Sequence, residues 1–362
     1  MITIEKDFLF EEDYPLSRLG KKEELLFFDI ETTGFSGEYH QVYLIGCVFF
    51  KEEHARCIQW FADSAESEPE IINSFFAFLK GYRHLIHFNG DTFDIPFLQK
   101  RCQVLGLNHD FRNISSFDIY KRIKPYKKYL GLENLKQKSI EAFLGISRED
   151  NYTGGQLIEV YSEYLRTKDN GLLKLLLLHN EDDLKGMPKL LPILFYPDFF
   201  TGTFTLCDLK KVAGETPRIL ISVECDPDTR LPVPIGASIP SYTVKADGCK
   251  MILSIRLYEG TLKYYYPNYK DYYYLIYEDT AIHKSVGEYV DKDARIKATR
   301  ETCYTKKYGS FLPQPESIFT PDFRNSSKDK ACFFEFCPDC FSDSEALNRY
   351  VQRIMKDIFT AR

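Results

Sequence analysis

The chain has 362 residues, 44% of them hydrophobic and 28% charged, with a formal net charge of −6. That length holds two domains, each with a sizeable core. No apolar run reaches the length of a membrane span, no basic-then-apolar leader opens the chain, and ten scattered cysteines sit in mostly apolar contexts. The expectation is a cytoplasmic protein with reduced thiols and no membrane partner. An acidic balance does not exclude a polyanionic partner, but it then requires a local basic surface or a cation at the site.

Residues 1–21 are polar and aromatic, contain Pro15, and read as an N-terminal arm. Residues 25–31, LLFFDIE, form a continuous apolar run that carries two acids at its end. That pattern fits a central strand buried on both faces, with Asp29 and Glu31 on one side and Ile30 on the other. After a turn at 34–37, residues 40–50 and 56–62 read as strands two and three, linked at 51–53. In residues 68–79, Pro69 lies near the start and Ile71, Ile72, Phe75, Phe76 and Leu79 fall at helical spacing. Residues 84–88 are strand four; a helix opens at Asp94 and closes at Gly106; residues 114–119 are strand five. Helices follow at about 133–144, 156–168 and 171–195. Three strands in a meander, then strands separated by helices, give α/β architecture: a mixed five-stranded sheet flanked by helices.

Three segments carry chemistry. Two carboxylates side by side on a buried strand repel each other unless a cation neutralises them, and oxygen-only ligands suit Mg²⁺ or Mn²⁺. Asn89-Gly90-Asp91-Thr92-Phe93-Asp94 stands where strand four gives way to a helix. Asp94 there is an N-cap by type, but sites in open α/β sheets form at strand C-termini, which brings it towards Asp29 and Glu31. In the last long helix, His179 and Asp183 share one stripe with Leu176, Asn180, Met187 and Leu190, so both face the sheet. Asp182 is rotated off that stripe.

FFDIETTG, N-x-x-x-F-D and H-x-x-x-D, in this order, resemble the three exonuclease motifs of the DnaQ-like (DEDD) superfamily, whose fold is ribonuclease-H-like. Within it the chain is similar to the bacterial YprB-like branch, over roughly residues 22 to 196. The resemblance implies 3′→5′ exonuclease activity with two Mg²⁺ or Mn²⁺ ions held by Asp29, Glu31, Asp94 and Asp183. It implies that Thr32 and Thr33 contact the terminal nucleotide, that Asn89 and Phe93 lie beside it, and that His179 is the general base. Asp118 and residues 132–136 match what usually lies between the second and third motifs. The histidine departs from the family pattern: one subgroup has tyrosine four residues before the last aspartate and the other has histidine five before it. No polymerase motifs follow, so a proofreading domain within a polymerase is not expected.

Residues 120–129, YKRIKPYKKY, interleave Lys121, Arg122, Lys124, Lys127 and Lys128 with three tyrosines. Basic groups hold phosphates and rings stack on bases, the pattern for a single strand; a solvated basic turn is the alternative. The domains expected are 22–198 and an α+β module over 199–362. In that module strands are expected at 203–207, 218–225, 241–246, 250–258 and 261–266, hairpin turns at Asp247-Gly248 and Glu259-Gly260, and helices at 280–289 and 344–359. Cys337-Pro338-Asp339-Cys340 lacks a second cysteine pair, so zinc is not the expectation. The function expected is exonucleolytic hydrolysis of nucleic acid, DNA before RNA, in repair or RNA processing, with a helicase left open as partner. A silent nucleic-acid-binding module is the second reading. An actin-like ATPase ranks below both, because its phosphate loop has glycine where Glu31 stands.

Overall fold

The computed structural model describes residues 1–51, 54–147 and 154–360. The chain divides into two compact units, Met1–Pro197 and Asp198–Arg362.

The first unit is built on a mixed six-stranded sheet. Its strands are β1 (Ile2–Phe8), β2 (Leu25–Thr32), β3 (Val42–Lys51), β4 (His54–Phe61), β5 (His84–His87) and β6 (Ser115–Asp118), in the order β1-β4-β3-β2-β5-β6. β2 is antiparallel to β3 and parallel to β5. Leu25, Leu26, Phe27, Phe28 and Ile30 are all buried, as a strand with neighbours on both edges and packing on both faces requires. The five expected strands are present, and the segment expected as an arm supplies a sixth: Ile2–Phe8 pairs antiparallel with β4 along its whole length. Ile2 and Ile4 alternate with polar residues and pack against the core, the pattern of an edge strand. Part of the expected link at 51–53 lies outside the described residues.

The helices of this unit are α1 (Glu68–Leu79), α2 (Asp94–Leu105), α3 (Ile119–Ile123), α4 (Lys127–Leu130), α5 (Gln137–Leu144), α6 (Gly154–Thr167) and α7 (Asn170–Leu190), with α8 (Phe195–Thr201) crossing the boundary. α2 ends on Gly106 in the left-handed region, φ 68°, where glycine avoids a Cβ clash. α7 is capped by Asp169, whose side chain accepts from the Gly171 and Leu172 N–H groups. Two expected helices are shorter. The one placed at 133–144 begins at Gln137, because Asn134 Oδ1 accepts from Lys136 N and Ser139 Oγ and holds a turn there. The one placed at 171–195 tightens into a 3₁₀ turn at Leu191–Leu194, where Pro192 has no N–H to continue it.

In the second unit, β7 (Thr205–Val212), β8 (Arg218–Glu224), β9 (Leu231–Ile239), β10 (Tyr242–Gly248) and β11 (Lys250–Arg256) form an antiparallel sheet in the order β7-β8-β11-β10-β9. Further along are β12 (Tyr258–Tyr265), β13 (Tyr272–Leu275), β14 (Thr280–His283), α9 (Lys284–Gly287), β15 (Arg295–Lys297), β16 (Tyr304–Gln314), β17 (Asp322–Phe323), β18 (Cys332–Glu335) and α10 (Ser344–Thr360). α10 lies on the β7-β8-β11-β10-β9 sheet of this unit, burying Leu347, Val351, Ile354 and Ile358. Two expectations are corrected. Glu259-Gly260 is not a hairpin turn: both sit inside β12, opposite Ser310 and Gly309 of β16. Residues 280–289 are not one helix: Thr280–His283 pairs with β13, where β-branched Thr280 and Ile282 suit a pleated strand, and only Lys284–Gly287 is helical. All ten cysteines are free thiols. Among the described residues, no helix is long and apolar enough to cross a membrane.

Candidate active site

β2 delivers Asp29 and Glu31 from one side of a strand; the turn after β5 delivers Asp94 at the first position of α2; α7 delivers His179 and Asp183 one helical turn apart. The four carboxylates meet. Asp29 is held well above the usual carboxylate range, first by burial and then by the charges of Asp183, Asp94 and Glu31, with the Asn180 hydrogen bond opposing. Burial likewise pushes Asp94 up to about 7, against hydrogen bonds from the Asp94 and Ile30 N–H groups and with the charges of Asp118 and Asp183 adding to the rise. His179 Nε2 lies 3.6 Å from Glu31 Oε1 and 3.6 Å from Asp183 Oδ2, and the ring is only 5% exposed.

Such a cluster suits a cation. Desolvated acids that raise one another's pKa take up protons, or a divalent ion that makes protonation unnecessary. Every carboxylate oxygen is a hard donor, the kind that suits hard divalent cations. Glu31, His179 and Asp183 present ligand atoms within 4.8 Å of one another.

The remaining predicted residues lie on the loop after β2, on the turn before α2 and along the segment from α3 to α4. Thr32 Oγ1 donates to the Gly34 carbonyl and Thr33 Oγ1 accepts from Gln41 N, so both hydroxyls shape the loop after β2. Phe93 packs against Phe97 and, at 6.4 Å between ring centroids, against Phe35. Asn89 adopts a left-handed φ of 63°, and its Oδ1 accepts from Thr92 Oγ1, which holds the turn before α2. Lys121, Arg122, Lys124, Lys127 and Lys128 lie exposed along α3, the 3₁₀ turn that follows and α4. Arg122 covers the Phe117 ring, Lys124 the Tyr120 ring, and Lys121 reaches Asp91 at 3.3 Å.

His87, Asp91 and Asp118 form a second grouping of possible ligand atoms, and their hydrogen bonds tie local turns together. Asp118 accepts from the N–H groups of Asn89, Asp91 and Lys121, tying the turn before α2 to the start of α3. Burial lowers the His87 pKa, so the ring is neutral; Nδ1 accepts from Gly90 N and Nε2 therefore donates to Ser116 Oγ.

Three residues without an assigned role in the sequence belong here. Phe35 is 90% exposed on the loop after β2, with its ring beside that of Phe93. Asn180 donates to Asp29 Oδ2, and Gln59 donates to Asn180. The lone amide in the apolar run RCIQWF was the available signal for Gln59.

Part of the chain is similar to archaeal DNA polymerases. That of Thermococcus kodakarensis is 36% identical over 94 residues, which is 24% of this chain and 6% of the polymerase. That of Thermococcus litoralis is 37% identical over 93 residues, again 6% of its length. That of Pyrococcus glycovorans is 36% identical over 93 residues, 12% of its length. The match thus spans a small fraction of those relatives. The family B DNA polymerase from Pyrobaculum calidifontis aligns in three dimensions with a TM-score of 0.39 and 13% identity, covering 66% of this chain and 33% of that one. Residues 26–194, the segment that contains all four converging carboxylates and His179, match the family model of the RNase_H superfamily.

Proposed function

We propose that residues 22–198 are a metal-dependent 3′→5′ exonuclease of the DEDD type, in its YprB-like branch, acting on DNA in preference to RNA, with residues 199–362 as a separate module. The observation that carries this reading is the meeting of Asp29, Glu31, Asp94 and Asp183 with His179 at one end of the sheet. When bound, two Mg²⁺ or Mn²⁺ ions supply positive charge against the scissile phosphate and ease deprotonation of water. The chain's own groups do the rest. His179, whose Nε2 lies 3.6 Å from both Glu31 and Asp183, takes the proton of the attacking water. Thr32 and Thr33 order the loop beside the terminal nucleotide, and Phe93 with Phe35 offers ring faces and edges on which an unpaired base stacks. The basic surface from Lys121 to Lys128 holds the phosphates behind it. The preference for DNA rests on the polymerase relatives.

The test is digestion of 5′-labelled single- and double-stranded DNA and RNA by the purified protein with Mg²⁺ or Mn²⁺. Stepwise shortening from the 3′ end, stopped by a bulky 3′ block and indifferent to a 5′ block, is the expected result. Cutting of circular single strands would make it an endonuclease. No digestion of either nucleic acid with either metal would leave a binding module.

A further inference from the structure

Asp29, Gly46 and Gln59 form one row across the sheet: Asp29 of β2 is opposite Gly46 of β3, and Gly46 is opposite Gln59 of β4. The middle position has no side chain. A Cβ there would come within 2.3 Å of Leu184 Cδ1 and closer still to Asn180 Oδ1, so the row is notched where α7 crosses it. Asn180, fully buried, fills the notch. Its Nδ2 donates to Asp29 Oδ2 at 2.8 Å, and its Oδ1 accepts from Gln59 Nε2 at 2.9 Å. Gln59 Nε2 also donates to the Leu177 carbonyl at 3.0 Å.

The direction of this relay is set at its far end. A carbonyl only accepts, so Leu177 makes Gln59 present its NH₂ group; Gln59 then makes Asn180 present its oxygen, and Asn180 is left with its NH₂ group towards Asp29. Turning Asn180 over would set donor against donor and oxygen against carboxylate, and turning Gln59 over would set its oxygen against two others, all in a buried place, which is unfavourable. Without that donor, Asp29 would face the like charges of Glu31, Asp94 and Asp183 less the hydrogen bond from Asn180.

We infer that Asn180 and Gln59 are positioning residues that fix the orientation of the Asp29 carboxylate for binding a divalent cation. The inference rests on the reading of the acidic cluster as a cation site. Neither residue is a cation ligand: Asn180 acts through Asp29, and Gln59 acts through Asn180.

The experiment is calorimetric titration of the full chain with Mn²⁺, for the unaltered protein, Asn180→Ala and Gln59→Met. The methionine keeps the volume of glutamine and removes the donor. Both variants should bind Mn²⁺ about 10- to 100-fold more weakly, the usual effect of losing a group that orients a ligand. Their nuclease rate should recover as Mn²⁺ is raised, with the oligonucleotide KM unchanged, which a loss of packing alone would not produce. If the unaltered protein binds Mn²⁺ and both variants bind it equally well, the positioning role is overturned and the cation site stands. If the unaltered protein takes up no Mn²⁺, the cation site falls and the inference with it. Should Asn180→Ala fail to fold, Gln59→Met decides alone, because it touches none of the carboxylates.

Discussion

The site residues divide by what their removal relieves. Asp29 and Asp94 are carboxylates that burial and neighbouring charge push towards the protonated form. Replacing either with an uncharged group removes a repelling charge from the folded state and, on the proposed reading, a cation ligand as well. Asp29→Ala and Asp94→Asn should therefore abolish nuclease activity and, with divalent ions chelated at pH 8, leave the melting temperature unchanged or higher. A gain of 1 kcal/mol would be worth roughly 2–4 °C in a unit the size of Met1–Pro197. Retained activity in both variants would remove Asp29 and Asp94 from the catalytic centre. His179 differs in kind, since it faces Glu31 and Asp183 but adds no negative charge. His179→Ala should lower kcat about 100-fold or more, with the KM for the oligonucleotide nearly constant. A kcat within a few-fold of the starting value would make the ring a structural group.

At the scale of elements, α7 matters more than its length suggests. It brings His179 and Asp183 to the sheet only because β3 has glycine at 46, where Asn180 and Leu184 approach the backbone. Gly46→Ala should destabilise the first unit by about 1–3 kcal/mol through overpacking and reduce activity by shifting α7 from the strand ends. Denaturant titration measures the first effect and a nuclease assay the second; wild-type values in both would mean that the helix settles elsewhere at no cost. The other side of α7 is held by β1. Lys6 and Lys185 both reach Glu181 at 2.5 Å, and Glu181 is nearly buried. Burial alone would raise the Glu181 pKa, but the hydrogen bonds from Lys185 and Lys6 win and lower it. The loop that carries Phe35 has its own anchor: buried Arg101 of α2 pairs with Glu68 of α1 through two hydrogen bonds and donates to the Gly37 carbonyl. A buried pair of this kind gives little net stability.

For the whole molecule, these pKa shifts become a pH dependence of stability. Asp94 moves from 3.8 to about 7 on folding, and Asp29 also rises. A carboxyl raised on folding binds more protons in the native state, so its contribution is full below about 3.8 and is lost as pH rises through about 7. With divalent ions chelated, the melting temperature should fall between pH 5 and pH 8. Mn²⁺ should remove that fall, because a cation replaces the protons, and its stabilising effect should grow with pH. Asp94→Asn should flatten the metal-free slope. A slope of the same size in that variant would assign the pH dependence to other groups. Glu181 and Asp91, both lowered, contribute stability that is lost only as pH falls below the usual carboxylate range, outside this window.

Local chemistry determined a good deal of this protein without reference to its folding. Pro69 and the apolar spacing of residues 68–79 set α1 at the bounds expected for it, Gly106 ended α2, and the run into Asp29 and Glu31 made β2 a buried strand. Alternation along a strand and the 3.6-residue turn of a helix are local rules, so they also placed Asp29 with Glu31 and His179 with Asp183 on shared faces. The tertiary structure decided what depends on partners far away in the chain. Ile2–Phe8 is a strand because β4, some fifty residues on, offers it an edge. Thr280–His283 is extended because β13 pairs with it, and Glu259-Gly260 continues a strand because β16 lies opposite. Gln59, Gly46 and Asn180 read singly as a stray amide, a strand glycine and a helix amide. Only the register of three strands under one helix sets them in a line that ends on Asp29, because hydrogen bonds of that kind depend on positions in space and leave no periodicity in the sequence.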